Sequence, residues 1–424
     1  MSADAEVLTN GGRLPHAVFL QRVTDDPTAA MAVRLGQGAF LALRFVDLLA
    51  PDREPPSPDV FRYQWAATER YCTELIAEGG STEAAHLSGI VSATGEAHEQ
   101  ANIRLLPPAL LAYALCLEHE AHLEEAEDVR LTLIRVGGER LAAKDEIASW
   151  LRLGRVRRLQ ADFDGAQSAY TCAGQIASSN GDRESVLLSR IGLCNVSHFR
   201  GNLADGERGW RAVLSDAEAA GLQNVQAHAE HGLGNALQGR GQPHEGAPHL
   251  WRAFELYEDE PSRVAALGDL GLALLSLGKV DDAERALHEV VRRGGSAPPV
   301  TNAILELMHC ASFRRDRVSF ERWRERALAH LDEVSPNIRA DFLLKLGIGL
   351  ARFGNYRRAD AELQRALEIA VAYGSHELVF RIERIREGLH DCGTSEHAES
   401  SAVVSRGGTE ALREVSASLA ALSA

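Results

Sequence analysis

Residues 150–173 read Trp-Leu-Arg-Leu-Gly-Arg-Val-Arg-Arg-Leu-Gln-Ala-Asp-Phe-Asp-Gly-Ala-Gln-Ser-Ala-Tyr-Thr-Cys-Ala. The informative positions are Trp150, Leu153, Gly154, Phe163, Ala166, Tyr170 and Ala173, because the same residue types return at the same offsets along the chain. Leu343, Leu346-Gly347, Leu350, Gly354, Tyr356, Ala359, Leu363 and Ala366 make a second copy. Leu267, Leu270-Gly271, Leu274, Gly278, Val280, Ala283, Leu287 and Val290 make a third, and Leu233-Gly234, Leu237, Gly241, Gly246, Leu250 and Ala253 a fourth. Two weaker copies lie in register: Leu193-Cys194, Gly201, Leu203, Gly206, Trp210 and Val213, then Leu307-Met308, Ala311, Phe320 and Ala327. A degenerate seventh occupies Ala114, Leu117, Leu123, Ala126 and Leu133.

Each residue type in this pattern has a mechanical reason. Leu, Gly and Leu at i, i+1 and i+4 place one apolar stripe on a first helix. The glycine lets a partner helix approach, and a second glycine (Gly201, Gly241, Gly278, Gly354) ends the first helix, where a left-handed cap is cheap. The small residue at Ala166, Ala283 and Ala359 marks the crossing of the two helices. Neither helix buries its stripe alone, so the pairs must stack.

The glycine-equivalent positions 154, 194, 234, 271, 308 and 347 recur about 37 to 40 residues apart, against roughly 34 in the standard tetratricopeptide repeat (TPR). The excess falls in joints such as Ser179-Asn180-Gly181-Asp182, Ala220-Gly221-Leu222 and Tyr373-Gly374-Ser375. Over roughly Pro107 to Leu389 the chain resembles TPR proteins, in particular the longer-period bacterial arrays of peptide receptors and maltose-activator-type regulators. The resemblance implies an all-α fold: a right-handed α-α superhelical solenoid of TPR-like helix pairs with an irregular N-terminal helical cap. The segments read as a partly disordered N-terminus (1–28), a helical cap (29–106), a solenoid of about seven repeats (107–392), a flexible linker (393–408) and a C-terminal amphipathic helix (409–424).

Local signals refine the ends. A short helix is predicted around Ala17 to Val23, an amphipathic helix over Thr28 to Leu49, and an aromatic-rich helix over Phe61 to Ala77, after the prolines of Ala50 to Pro58. Leu412, Val415, Leu419 and Leu422 recur at helical spacing near the C-terminus. Docking of that helix on its own solenoid is the expectation; the alternative is a tethered helix that occupies the binding groove.

Lys and Arg number 45 against 60 Asp and Glu, a formal charge of −15, which argues against nucleic-acid and anionic-membrane partners. The apolar fraction is 45 % and the charged fraction 25 %, as in ordinary folded proteins. Cys72, Cys116, Cys172, Cys194, Cys310 and Cys392 are widely scattered, which predicts reduced thiols. Asp4 and Glu6 near the start, with no basic or apolar leader pattern, predict no secretory signal. The longest apolar run, Leu105 to Leu117, is interrupted by Pro107-Pro108 and is too short to span a bilayer. A cytoplasmic location is expected, and a homo-oligomer is compatible with the reading.

The TPR resemblance places first helices on the concave face, where positions one and four residues after the glycine are expected to meet a ligand. They are Arg155 and Arg158, then Asn195 and His198, then Asn235 and Gln238. Asn suits main-chain amides and Arg suits carboxylates. The same positions later become Leu272, Leu275, Ile348 and Ala351, so the groove is expected to turn apolar. Asn195 and Asn235 match the family's asparagine position, while the lysines of its carboxylate-clamping members are missing.

Cys116, His119 and His122, and likewise His228 and His231, stand three apart, but a metal site needs three or four converging groups, so no metal is expected. No phosphate-binding loop, dinucleotide fingerprint or nucleophile elbow is complete, and no cofactor or catalytic residue is assigned. Arg314, Arg315, Arg317, Arg322, Arg324 and Arg326 surround Trp323. They read as a solvated helix face partly paired with Asp316, Glu321 and Glu325, with a site for an acidic partner as the alternative. The expected function is a non-catalytic scaffold or adaptor binding a protein or peptide; a peptide-sensing regulatory receptor is the alternative, and an enzyme with a TPR recruiter ranks last.

Overall fold

The computed structural model describes residues 14–25, 30–79, 81–295, 297–331, 334–373, 375–392 and 410–422. Residues 1–13 and 26–28 of the stretch expected to be partly disordered lie outside the described residues, as does the linker expected over 393–408. Among the described residues every regular element is a helix, most of them packed in consecutive pairs. The chain divides into two compact units, Met1–Val196 and Ser197–Ala424.

The first unit opens with α1 (Ala17–Asp25), α2 (Ala30–Val46), α3 (Pro58–Gly79) and α4 (Thr82–Glu99). The first three lie close to the predicted spans. Helix α4 was not foreseen, because it carries no Leu-Gly signature; Ser81 caps it by accepting from Ala84 N. Two pairs follow, α5 (Leu106–His119) with α6 (Leu123–Gly137) and α7 (Ala143–Leu159) with α8 (Phe163–Ser179), then α9 (Arg183–Phe199). The core holds Phe19, Leu43, Phe45, Phe61, Leu75, Leu87, Ile90 and Tyr113.

Charged groups fasten α1 to this core. Arg22 donates to Glu83 (3.0 Å) and to Glu125 (2.7 Å), and Tyr113 Oη donates to the same Glu83 at 2.8 Å. His16 is buried between two carboxylates, Nδ1 at 2.5 Å from Asp128 and Nε2 at 3.3 Å from Asp47. Asp47 also meets Arg135, Arg44 and Arg53. Burial works against the charged imidazole, but the hydrogen bonds and charges of Asp128 and Asp47 outweigh it and raise the His16 pKa above its ordinary 6.5.

The second unit contains α10 (Leu203–Ala220) and the pairs α11 (Gln223–Gly239) with α12 (Pro243–Leu256), α13 (Glu260–Ser276) with α14 (Val280–Arg293), α15 (Ala297–Phe313) with α16 (Arg317–Leu328), and α17 (Pro336–Arg352) with α18 (Tyr356–Ala372). Helix α19 (His376–Cys392) packs on α18, and α20 (Glu410–Leu422) ends the described chain. The glycines act as predicted. A Cβ on Gly271 would stand 2.9 Å from Leu287 of the partner helix, and one on Gly347 would stand 2.7 Å from Leu363. Gly278, at φ +70°, closes α13 in the left-handed region.

Helix α20 docks on α12 and α14, both second helices of their pairs. Leu412, Val415 and Leu419 are buried there, Ser416 Oγ donates to Asp282 at 2.6 Å, and Lys279 Nζ lies 3.2 Å from Ser416. The helix thus docks within its own chain, on second helices. It does not occupy the groove described below, whose floor is made by first helices.

Two outcomes follow from this packing. A raised His16 pKa contributes stability that is complete below the unfolded value of 6.5 and is lost as the pH rises through the folded value. In thermal melts between about pH 6 and pH 9, the gap between wild type and His16→Gln is expected to be widest at the acid end and to close toward the alkaline end. Ending the chain after Cys392 is expected to cost the second unit about 2–4 kcal/mol from the three lost apolar contacts. Denaturant unfolding with an unchanged midpoint would count against α20 as a packing element.

Candidate functional site

A groove of about 1030 Å³ runs along the second unit. It is formed by α11, α13, α15, α17 and the start of α19, with Leu287 the one contribution from a second helix among its described lining. Its size sits at the top of the roughly 300–1,000 Å³ range of ligand pockets. Val264, Leu272, Leu275, Pro298, Pro299 and Leu378 supply apolar walls.

The polar floor comes from positions two and six residues before the repeat glycine. Asp269 precedes Gly271, Glu306 and Asn302 precede Met308, and Lys345 and Asp341 precede Gly347. Successive helical residues turn by about 100°, so these positions lie within about 60° of the +1 position, whereas +4 lies only about 40° from the glycine itself. The late groove therefore keeps Leu272 and Leu275 as apolar lining, as expected, but also has a polar floor that the expectation lacked. Counting forward from the glycine missed the carboxylates and the lysine, which counting backward would have found.

Lys345 is buried, with Nζ at 2.8 Å from Glu306 Oε1 and bonded to Asp341. Burial opposes its charge, but Glu306 and Asp341 more than compensate and hold its pKa above the ordinary lysine value. His309, close by, is pushed down to about 4 by burial and then by Arg352 and Lys345, so it is neutral near pH 7. At the other end, Asp269 Oδ2 takes His231 Nε2 and Asn235 Nδ2, each at 2.9 Å. His231 Nδ1 lies 3.1 Å from Tyr257 Oη, and Tyr257 Oη lies 3.0 Å from His228 Nδ1. The two histidines thus belong to a hydrogen-bonded chain joining α11, the end of α12 and α13. Burial pushes the Tyr257 hydroxyl well above its usual range, which keeps it a neutral donor in that chain.

The six residues singled out in the sequence divide between the units. In the first, Arg155 is exposed and donates to Glu118 at 2.6 Å, where Arg130 and Arg152 also converge. Arg158 is half-buried beside Tyr170, and Asn195 is half-buried on α9. In the second, His198 meets the Trp210 ring edge-on at 5.7 Å. Asn235 holds Asp269, and Gln238 lines the groove. Asn235 and Gln238 are thereby brought together with the α13 floor.

No family model and no curated protein matches the sequence. Solved structures do resemble it. A Rap protein complexed with Competence and Sporulation Factor is 13 % identical, covering 86 % of this chain and 98 % of its own, at a TM-score of 0.44. NprR in complex with its cognate peptide NprX is 10 % identical, covering 82 % and 90 %, at 0.46. A tetratricopeptide repeat protein from Parabacteroides merdae is 14 % identical, covering 65 % and 98 %, at 0.41. Among the described residues no helix is long and apolar enough to cross a membrane.

Removing the lysine leaves two carboxylates facing each other in the floor. Lys345→Met is expected to destabilise the second unit by about 2–3 kcal/mol, and Glu306→Gln on top of it to restore part of the loss. A double-mutant cycle in urea that returns simple additivity would contradict this coupling.

Proposed function

We propose that the chain is a non-catalytic binding protein whose second-unit groove holds an extended segment of a partner protein or peptide. The observation that carries the reading is the pairing of apolar walls with open side-chain amides on one first-helix surface. Gln238 and Asn302 face the groove, and neither makes a side-chain hydrogen bond to another described residue. An amide there donates to and accepts from a peptide main chain, while Leu272, Leu275 and Leu378 receive its apolar side chains.

Several buried groups that could otherwise do chemistry are held in unreactive states. Lys345 is neutralised by Glu306 and Asp341, and the buried thiols of Cys72, Cys194 and Cys310 are pushed up to about 11, 11 and 12 by burial. Asn235 holds the groove floor in place, and Arg155, Arg158, Asn195 and His198 stay proposed as partner contacts in their own right, separate from the groove.

The sensing alternative is favoured by one observation, the hydrogen-bonded chain from Asn235 through Asp269 and His231 to His228. A ligand that engages Asp269 would act on the contact between consecutive pairs.

Selection from a phage-displayed library of linear heptapeptides tests the reading. Enriched peptides are expected to lose about tenfold in affinity, near 1.4 kcal/mol, against Gln238→Ala/Asn302→Ala. No enrichment, or affinity untouched by the double variant, sinks it.

A further inference from the structure

The second unit carries a second surface, on the outer face of α16. Six arginines cluster there, and the structure separates them into two groups. Arg314 pairs with Asp281 and with Glu284 at 3.0 Å, and Arg324 pairs with Glu321 at 3.0 Å. Asp316, expected to neutralise this face, is used as the helix cap and accepts from Ser319 N at 3.1 Å. Arg315, Arg317, Arg322 and Arg326 are exposed and have no carboxylate within ion-pair distance among the described residues.

Two of these four are held in place without being neutralised. The Arg322 and Arg326 guanidiniums each sit 5.5 Å from the centre of the Trp323 ring, which is itself buried. Stacking fixes their rotamers and leaves their N–H groups open. His288, whose ring centre lies 5.4 Å from that of Trp323, is kept neutral by burial and then by these same two cations. Val318, 82 % exposed, stands one turn before Arg322 and two before Arg326. The three form a stripe at i, i+4 and i+8 on one side of the helix. Ordered arginines beside exposed apolar side chains are the composition of interface hot spots.

We propose that this face of α16 docks an acidic protein segment whose carboxylates are spaced by apolar residues. Charge complementarity carries the choice. On a chain of net charge −15, three guanidiniums on one short helix and a fourth, Arg315, in the turn before it make a local positive patch without an ion-paired carboxylate among the described residues. Nucleic acid and anionic membrane fit less well, since Asp316 and Glu325 interrupt the patch and the surrounding −15 repels a dense polyanion. An acidic strand or helix can place carboxylates on Arg322 and Arg326 and an apolar side chain against Val318.

Fluorescence anisotropy on the intact protein tests this with a labelled peptide of 12 residues, the length of α16, alternating glutamate with leucine and alanine. The peptide is expected to bind, to weaken with salt, and to lose about tenfold or more against Arg322→Glu/Arg326→Glu. The groove variant Gln238→Ala/Asn302→Ala is expected to bind it normally, which separates this site from the groove. If the charge-reversed protein does not melt like wild type, Arg315→Gln/Arg317→Gln takes its place, with a smaller loss expected. No binding of the peptide, equal affinity in the arginine variants, or tighter binding of a single-stranded DNA 12-mer of the same length overturns the proposal.

Discussion

A glycine on a first helix, seated beneath a side chain of the second, is the contact on which the rest of the architecture depends. Gly234 lies under Leu250, Gly271 under Leu287, Gly347 under Leu363, and Gly154 under the Tyr170 ring, each with too little room for a Cβ. Close approach at that point fixes how each first helix is rotated in its pair. Once the glycine faces its partner, the positions at −6, −2 and +1 must face elsewhere, and on α13, α15 and α17 most of them face the groove. In the pairs built on glycine the packing contact and the direction of the floor residues are coupled, while α15 carries Met308 at the same position and still supplies Glu306 and Asn302 to the floor.

The helix pairs were legible because this contact has a residue signature. Leu-Gly at regular spacing, followed by a small residue such as Ala359 or Ala283, is hard to mistake. Helix α4 was invisible for the converse reason: its buried residues, among them Leu87, Ile90, Val91 and Gly95, follow helical spacing without any recurring pattern. The candidate site was half legible. Gln238 was found because +4 borders the groove, but the carboxylates at −2 and −6 lay on the side from which no count was made. Ion pairing was less legible still. Nothing in spacing reveals that Asp316 is spent on a helix cap or that Arg314 reaches Asp281 and Glu284 on α14.

Charge is distributed with a consistent logic across the second unit. Ionised groups along the groove floor have partners: buried Lys345 has two carboxylates, and partly exposed Asp269 has an imidazole and an amide. Such pairs add little net stability, since desolvation offsets their attraction, but they are costly to break and so specify one arrangement. On the α16 surface, cations stand without an ion-paired carboxylate among the described residues, and there Trp323 holds two of them in place. The groove floor is thus a closed electrostatic system that leaves amides and apolar walls to meet a ligand. The α16 face is an open one, and its recognition would depend on ionic strength in a way the groove would not.

Helix α20 shows why an amphipathic stripe alone does not assign a role. Leu412, Val415 and Leu419 required burial, and either the groove or the outer surface of the pairs would have served. What decides is polar matching. Ser416 finds Asp282 on α14 and Lys279 just before it, a pair 3.6 Å apart, donating to the buried carboxylate and accepting from the ammonium. In the groove the charged groups Lys345 and Asp269 already have partners of their own. Seated on α12 and α14, the helix ties two successive pairs together from the side opposite their first helices, and the groove stays open to a ligand from outside the chain.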